Sequence, residues 1–302
     1  MRVSTLTFTN TALNNFNRNN MQLSKVQTQI SLDKRITKPS DDPIASSQLA
    51  QLRREQAAIG QYQHNISRLS GNLAQQEVHI DATSSTLMTM MDKIREANNG
   101  HLSVADMDGY GTELQALMES LIAQLNTRDA DGNYQFGGTI TDRPPVVQDP
   151  ATGQWIYQGN DNQSAATVAH VVDIRVTTQL AQAFGSDMAT LNQLQDLIGK
   201  MKDPTLPPSS YAEDMGQMLS GLQENHNRVA ALYTDLGGRQ NHLTLLNDAH
   251  SDNDVVNQQV IEQLQGLDYA EAWMNLMRYT SSNEAAYKSF VQVSQLSLFK
   301  LG

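Results

Sequence analysis

The chain has 302 residues, enough for two or three domains and a sizeable core. It has 21 Lys and Arg against 32 Asp and Glu residues, a formal net charge of −11, which argues against binding of nucleic acid through its phosphate backbone. The absence of cysteine excludes disulfides, thiolate metal ligands and a cysteine nucleophile. With 39% hydrophobic and 6% aromatic residues, the composition favours long helices with narrow apolar faces over a compact enzyme.

The N-terminal segment predicts a weakly amphipathic helix. Apolar residues recur on a face that is also rich in Asn and Gln, namely Leu13, Phe16, Leu23, Val26 and Ile30. Such a helix needs a packing partner. Pro39 and Pro43 then interrupt the helix, and Ser40 or Asp41 is predicted to cap the next one. Residues 1–10 show neither a sustained hydrophobic segment nor a small-residue cleavage pattern, so we predict no removable secretion signal.

The segment after Pro43 carries the strongest pattern in the sequence. Its N-terminal seam is a row of apolar residues at intervals of seven: Leu52, Ile59, Ile66, Leu73, Ile80, Leu87 and Ile94. A helix over this row is about 60 Å long and cannot bury the row by itself. A second row, three residues later, is interrupted by Glu55, Gln76 and Thr83, so the coiled-coil spacing is incomplete.

The middle of the chain changes character after a helix predicted at about residues 112–126. Aromatic and β-branched residues, as at residues 155–157, lie between Gly, Pro and Asp residues, and residues 150–153 are typical of a hairpin turn. Residues 172–176 alternate as in a half-buried strand. We therefore predict a small β-rich insert over residues 131–204.

The C-terminal third carries a matching stripe. The C-terminal seam has apolar residues at intervals of seven: Met215, Leu222, Val229, Leu236 and Leu243. A further amphipathic run continues to the last residues and includes Trp273, Tyr287, Phe290 and Leu298. Both ends of the chain thus carry apolar faces that they cannot bury alone, and we predict that they pack against each other.

These patterns predict a mainly α fold: a long coiled-coil-like helical bundle formed by N- and C-terminal segments, with a small β-rich inserted domain. We divide the chain into terminal helical assembly arms (1–44 and 255–302), a helical bundle domain (45–130 and 205–254) and the insert (131–204). The arms are rich in polar residues, so we expect them to order fully only when neighbouring copies complete them. The arm residues assigned to assembly are Leu13, Phe16, Leu23, Ile30, Trp273, Tyr287, Phe290 and Leu298.

Candidate catalytic and metal motifs have simpler explanations. Ser31 and Lys34 form an S-x-x-K string on an exposed helix with no further catalytic element, so a solvated face explains them better. Residues 129–133 resemble part of a calcium loop, but the glycine comes too early and no glutamate occupies the twelfth place. The seven histidines lack metal-ligand spacing. We therefore predict no enzyme activity and no catalytic, cofactor or metal site, and no run approaches the roughly 20 apolar residues that insert in a membrane.

Several segments together resemble the flagellin superfamily. They are Thr9-Asn10 with Ala12-Leu13, the nine residues Arg35-Ile36-Thr37-Lys38-Pro39-Ser40-Asp41-Asp42-Pro43, then Asn133 to Thr139 (NYQFGGT), Leu236 to Asn241 (LGGRQN) and Asn283 to Tyr287 (NEAAY). The Pro-Ser-Asp-Asp-Pro spelling is closer to the hook–filament junction members than to filament-forming flagellins. The similarity covers both helical ends and the start of the insert, in the expected order.

The resemblance implies an extracellular structural subunit of the bacterial flagellum that joins hook to filament as a ring. The implied partners are copies of the same chain, another hook-associated protein on the hook side and flagellin on the filament side. It also implies export in an unfolded state by the flagellar type III apparatus with a chaperone. A filament-forming flagellin, or another type III secreted helical rod protein, is the alternative.

Overall fold

A computed structural model describes residues 2–99, 102–185 and 187–298, with side chains described at residue 7 and, within those ranges, from residue 10 to residue 292. This part is mainly helical with a small region of strands, which confirms the predicted fold class. The longer helices are α1 Arg2–Leu32, α2 Pro43–Asn99, α3 Val104–Leu125, α4 Ala189–Met201, α5 Ala212–Gln265 and α6 Tyr269–Leu298. The strands form two antiparallel hairpins, β1 Val146–Gln148 with β2 Trp155–Tyr157, and β3 Ala165–Ala169 with β4 Val172–Arg175.

The described residues divide into two compact units. Unit 1 combines residues from 1–58 and from 251–302, and unit 2 contains residues from 59–250. The long helices α2 and α5, of 57 and 54 residues, contribute to both units. Unit 1 is therefore made from the two ends of the chain, and within it α1 packs along α6, as the sequence predicted.

Unit 2 contains one hydrophobic core, built largely from the two seams. The core includes five residues of the N-terminal seam and all five of the C-terminal seam: Ile66, Leu73, Ile80, Leu87, Ile94, Met215, Leu222, Val229, Leu236 and Leu243. Beside it the Gln240 side-chain amide donates a hydrogen bond of 3.0 Å to the Glu77 carboxylate, from α5 to α2. Burying a Leu or Ile side chain contributes about 1.5–3 kcal/mol before ordering entropy is deducted.

The first hairpin is held at both edges by asparagine side chains. Asn126 follows α3 and exchanges two hydrogen bonds with the Val146 backbone, at 2.7 and 2.9 Å. Asn192 of α4 does the same with the Trp155 backbone, at 2.7 and 3.0 Å. Each amide thus replaces a neighbouring strand, so a two-stranded sheet has its edges covered.

Helix α4 lies inside the segment expected to be β-rich, and the sequence analysis missed it. Its buried residues recur at helical spacing: Leu191, Leu194, Leu197, Ile198 and Met201. It packs against α3 at Gly111, where an added Cβ atom would come within 2.9 Å of the Lys202 side chain. Glycine suits this position because a larger residue would force the Lys202 side chain to shift. The surrounding turn residues concealed a short but regular helical pattern.

The second hairpin lies against α2 and α5 rather than standing away from them. From α2, the Asn65 and Gln76 amides donate to the Thr167 and Val176 carbonyl oxygens, at 2.8 and 3.1 Å. From α5, the buried His250 ring contacts the Val168 carbonyl oxygen at 2.7 Å. The polar break that Gln76 makes in the second row of α2 is therefore a docking point for this hairpin.

Arg239 of α5 anchors the end of the same hairpin. Its guanidinium donates to the Thr177 carbonyl oxygen at 3.2 Å and forms an ion pair with Asp235, one turn earlier on α5. Asp235 also pairs with Arg175 of β4 at 3.2 Å. Because the Arg239 side chain is largely buried, its loss would remove the guanidinium donor from the Thr177 carbonyl oxygen and leave Asp235 paired with Arg175 alone.

Truncating one seam residue should destabilise unit 2. Leu236 is fully buried, so Leu236→Ala should lower the free energy of unfolding by about 2–5 kcal/mol. Leu245 lies on the same helix but is exposed, so Leu245→Ala should change it by less than about 0.5 kcal/mol. Urea unfolding followed by circular dichroism measures both variants. Equal losses in the two would contradict the assignment of the seam as the core.

Candidate assembly surface

The apolar contact between α1 and α6 is narrow. Val26 of α1 and Ala272 of α6 are buried in unit 1. Phe16, Leu23 and Ile30, which the sequence assigned to assembly, are only half-buried. This contact removes little apolar surface from water compared with the core of unit 2, so it stabilises the helix pair weakly.

Polar contacts fix the register of the pair. The Asn19 amide donates to the Ser282 hydroxyl, and the Asn283 amide donates to the Asn20 side-chain oxygen, each at 2.8 Å. Such hydrogen bonds contribute about 0.5–1.5 kcal/mol each, because the same groups bond to water when the helices separate. They specify which residues face each other without making the pair strong.

One face of α6 is apolar and exposed. Tyr269, Trp273 and Met277 follow one another at four-residue steps, which places them on one side of the helix. Other large apolar side chains exposed on α6 are Met274, Tyr287 and Phe290. Exposed apolar surface of this kind marks an interaction site.

A shallow apolar groove lies between α1 and α6. Its volume is about 250 Å³, and its lining residues are Ala12, Leu13, Phe16, Ala286, Tyr287 and Phe290. A lining of small alanines and aromatic rings suits the insertion of a side chain from another helix. Four of the eight predicted assembly residues meet in this groove: Leu13, Phe16, Tyr287 and Phe290.

The linker between α1 and α2 is tied to the end of α5 by Arg35. Its backbone N–H donates to the Gln265 carbonyl oxygen at 2.8 Å, and its guanidinium donates to the Leu264 carbonyl oxygen at 2.9 Å. Arg53 of α2 adds a bond of 2.9 Å to the Gln265 side chain. The last carbonyls of a helix have no partner within the helix, so a cation there stabilises its end. Arg35 thereby connects the two breaks that precede α2 and α6.

Asp41 organises the same linker. Its carboxylate forms an ion pair of 2.9 Å with Lys25 of α1 and accepts hydrogen bonds from the Thr37 and Lys38 backbone N–H groups, at 3.1 and 3.0 Å. The Lys25 ammonium and these N–H groups hold the pKa of Asp41 far below its usual range. A charged Asp41 therefore holds the linker against α1 at neutral pH.

The helix cap predicted at Ser40 or Asp41 lies at Asp42 instead. The Asp42 carboxylate accepts from the Ala45 backbone N–H at 3.0 Å and pairs with Arg35 at 3.2 Å, and both contacts lower its pKa. Pro43 occupies the first helical position, where a missing N–H costs nothing. Asp41 does not cap α2, because its carboxylate accepts hydrogen bonds from the preceding linker residues Thr37 and Lys38.

The other predicted residues lie as follows. Leu52 is half-buried in unit 1, and Ile59 is buried in unit 2. Leu13, Trp273, Tyr287 and Phe290 are exposed, whereas the side chain of Leu298 lies outside the described residues. The sequence analysis did not single out Arg35, Asp41, Tyr269 or the exposed methionines as parts of this surface. For Tyr269 and Met277, their four-residue spacing from Trp273 was a signal in the sequence that could have identified them.

The described residues contain no group of three or more His, Asp or Glu side chains placed to hold a metal ion. Among the described helices, none has both the length and the apolar character needed to cross a membrane.

Comparison with known proteins gives a consistent result. Residues 3–141 match the family described as the bacterial flagellin N-terminal helical region. The solved structure of a putative flagellar hook-associated protein from Vibrio parahaemolyticus is 32% identical, with a TM-score of 0.69, and covers 75% of this chain and 100% of that one. Flagellar hook-associated protein 3 of Escherichia coli (strain K12) is 27% identical over 92% of each chain. The protein of that name from Salmonella typhimurium is 26% identical over 100% of this chain and 99% of that one.

The chain belongs to the flagellin superfamily, among its flagellar hook-associated members. This is a family of structural flagellar proteins.

Removing the charge of Asp41 should loosen the linker. Asp41→Asn keeps the size of the side chain but loses the ion pair and the charged acceptor. The free energy of local opening of the linker should therefore fall by about 1.5–3 kcal/mol at pH 7. Because folding lowers the pKa of Asp41, this contribution is complete above its unfolded pKa of about 3.9 and is lost as the pH falls through the folded value. The difference between variant and wild type should therefore shrink below about pH 4.

Hydrogen exchange of peptides covering residues 24–45, corrected for intrinsic rates, measures this effect. Asp252→Asn is the matched control, because Asp252 is exposed on α5 in the same unit. An equal loss of protection in the control, or a difference that grows as the solution is acidified, would contradict the role given to Asp41.

Proposed function

We propose that the chain is the structural subunit that joins hook to filament in the bacterial flagellum, where copies of it form a junction ring. The supporting observation is the apolar face of α6, together with the groove between α1 and α6, both of which are exposed among the described residues. The names of the relatives support the flagellar setting. The proposed neighbours are further copies of the chain, another hook-associated protein on the hook side and flagellin on the filament side.

In this proposal the arms, residues 1–44 and 255–302, make the contacts with neighbouring subunits. The bundle at residues 45–130 and 205–254 folds in the free chain because its seams bury many large side chains. The insert at residues 131–204 is attached to the bundle and is not part of the assembly arms. With this division, the arms of a free subunit are held together weakly and become fully ordered only when they contact neighbouring subunits.

Export in an unfolded state through the flagellar type III apparatus, with a chaperone, is part of the same proposal. It rests on the family resemblance. The weak α1–α6 contact is compatible with it, since ends held by few buried side chains separate at low cost. The resulting location is extracellular, at the hook–filament junction.

Isolated hooks bearing the preceding hook-associated protein provide the test. The wild-type chain should add a collar of limited length in electron micrographs, and Tyr287→Ser should add at least about tenfold less, because the substitution removes an exposed ring from the groove. Tyr233→Ser is the matched control, since Tyr233 is exposed on α5 in unit 2. It should add as well as the wild type.

Unlimited growth of the wild-type chain into long filaments would reject the junction and favour the alternative, a filament-forming flagellin. Equal addition by Tyr287→Ser and Tyr233→Ser would reject the groove as the assembly surface.

A further inference from the structure

The methionines of this chain are distributed unequally. In unit 2 nearly all are buried, as the core shows: Met90, Met91, Met107, Met118, Met188, Met201, Met215 and Met218. Met88 is the exposed exception there, at 45%. In the described part of unit 1, by contrast, every methionine is exposed: Met21 at 66%, Met274 at 65% and Met277 at 67%.

Exposure decides which thioethers react with oxidants. A methionine sulfur attacks the terminal oxygen of hydrogen peroxide, the O–O bond breaks, and the departing hydroxide takes the proton from the new S–OH group. The products are one methionine sulfoxide and one water, so the peroxide supplies both the oxidising equivalents and the oxygen atom. Since the chain has no cysteine, no thiol competes for the oxidant.

We propose that the exposed residues Met21, Met274 and Met277 are peroxide-sensitive modification sites whose oxidation controls incorporation of the free subunit. The control of incorporation rests on the proposed function, whereas the selective oxidation does not. Met277 shares one face of α6 with Tyr269 and Trp273, so a sulfoxide there puts a strong dipole into an apolar contact surface. Burying a polar group without a partner disfavours docking.

These methionines are open to oxidants only before assembly. In the free chain their side chains are exposed, and in the proposed assembly neighbouring subunits cover them. Oxidation therefore acts on subunits in transit and spares those already in place. A bound neighbour and a peroxide molecule compete for the same surface.

Peptide mass spectrometry of the full chain after limited peroxide treatment tests the chemistry. Met21, Met274 and Met277 should gain oxygen at least about tenfold faster than Met215 and Met218. Oxidation of the three at the rate of the buried pair overturns the site.

Addition to hooks tests the consequence. The oxidised wild-type chain should add to hooks about tenfold less than the untreated chain for each sulfoxide that is buried without a hydrogen-bond partner. Treatment with methionine sulfoxide reductases should restore addition, and this rescue excludes damage to Trp or Tyr as the cause. A triple variant, Met21→Leu with Met274→Leu and Met277→Leu, should add normally after peroxide. Met88→Leu is the matched control and should remain sensitive.

Unchanged addition of the oxidised wild type, or equal protection by Met88→Leu, overturns the proposed control. Failure of the untreated wild type to add at all overturns the proposed function together with this control, whereas the peptide map still decides whether the three methionines are the reactive ones.

Discussion

The structure depends on an incomplete apolar contact. Helices α1 and α6 pack along each other, but Val26 and Ala272 are buried whereas Phe16, Leu23 and Ile30 are only half-buried, and a face of aromatic and methionine side chains remains exposed. Fixing each backbone residue costs about 1–2 kcal/mol, and so few buried side chains barely offset that cost over two helices of this length. The contact specifies which ends meet but leaves the pair to be completed by other molecules. The exposed apolar face therefore has two consequences: the α1–α6 pair is weakly stable by itself, and it offers a surface to which other molecules can bind.

Contacts of the linker between α1 and α2 fix the positions of the helix ends in unit 1. Arg35 binds the last carbonyls of α5, Asp41 holds the linker to α1 through Lys25, and Asp42 starts α2. All three contacts are electrostatic. Those of Arg35 and Asp42 use the backbone groups that helix ends leave free, whereas Asp41 pairs with the Lys25 side chain within α1. The nine-residue segment by which the family was recognised in the sequence is therefore the segment that fixes how the two ends of the chain approach each other.

Local periodicity was sufficient to predict the long helices, the two seams and the pairing of the chain ends, since heptad rows such as Ile66 to Ile94 report burial directly. It could not predict contacts between residues far apart in sequence. Gln76 interrupts an apolar row and His250 carried no recognisable signal, but in the structure they hold a hairpin that lies 100 and 82 residues away in sequence, respectively. Helix α4 was hidden among turn residues, and the methionine face needed side-chain exposure to be seen.

The central claim is that the ends of the chain become stable only through neighbours. Hydrogen exchange at the amides of Phe16 and Phe290, measured in the free subunit and again after addition to hooks, tests it most directly. The account predicts little protection in the free chain and strong protection after assembly, with Leu73 and Leu236 amides protected in both states. Full protection of Phe16 and Phe290 in the free chain would contradict it.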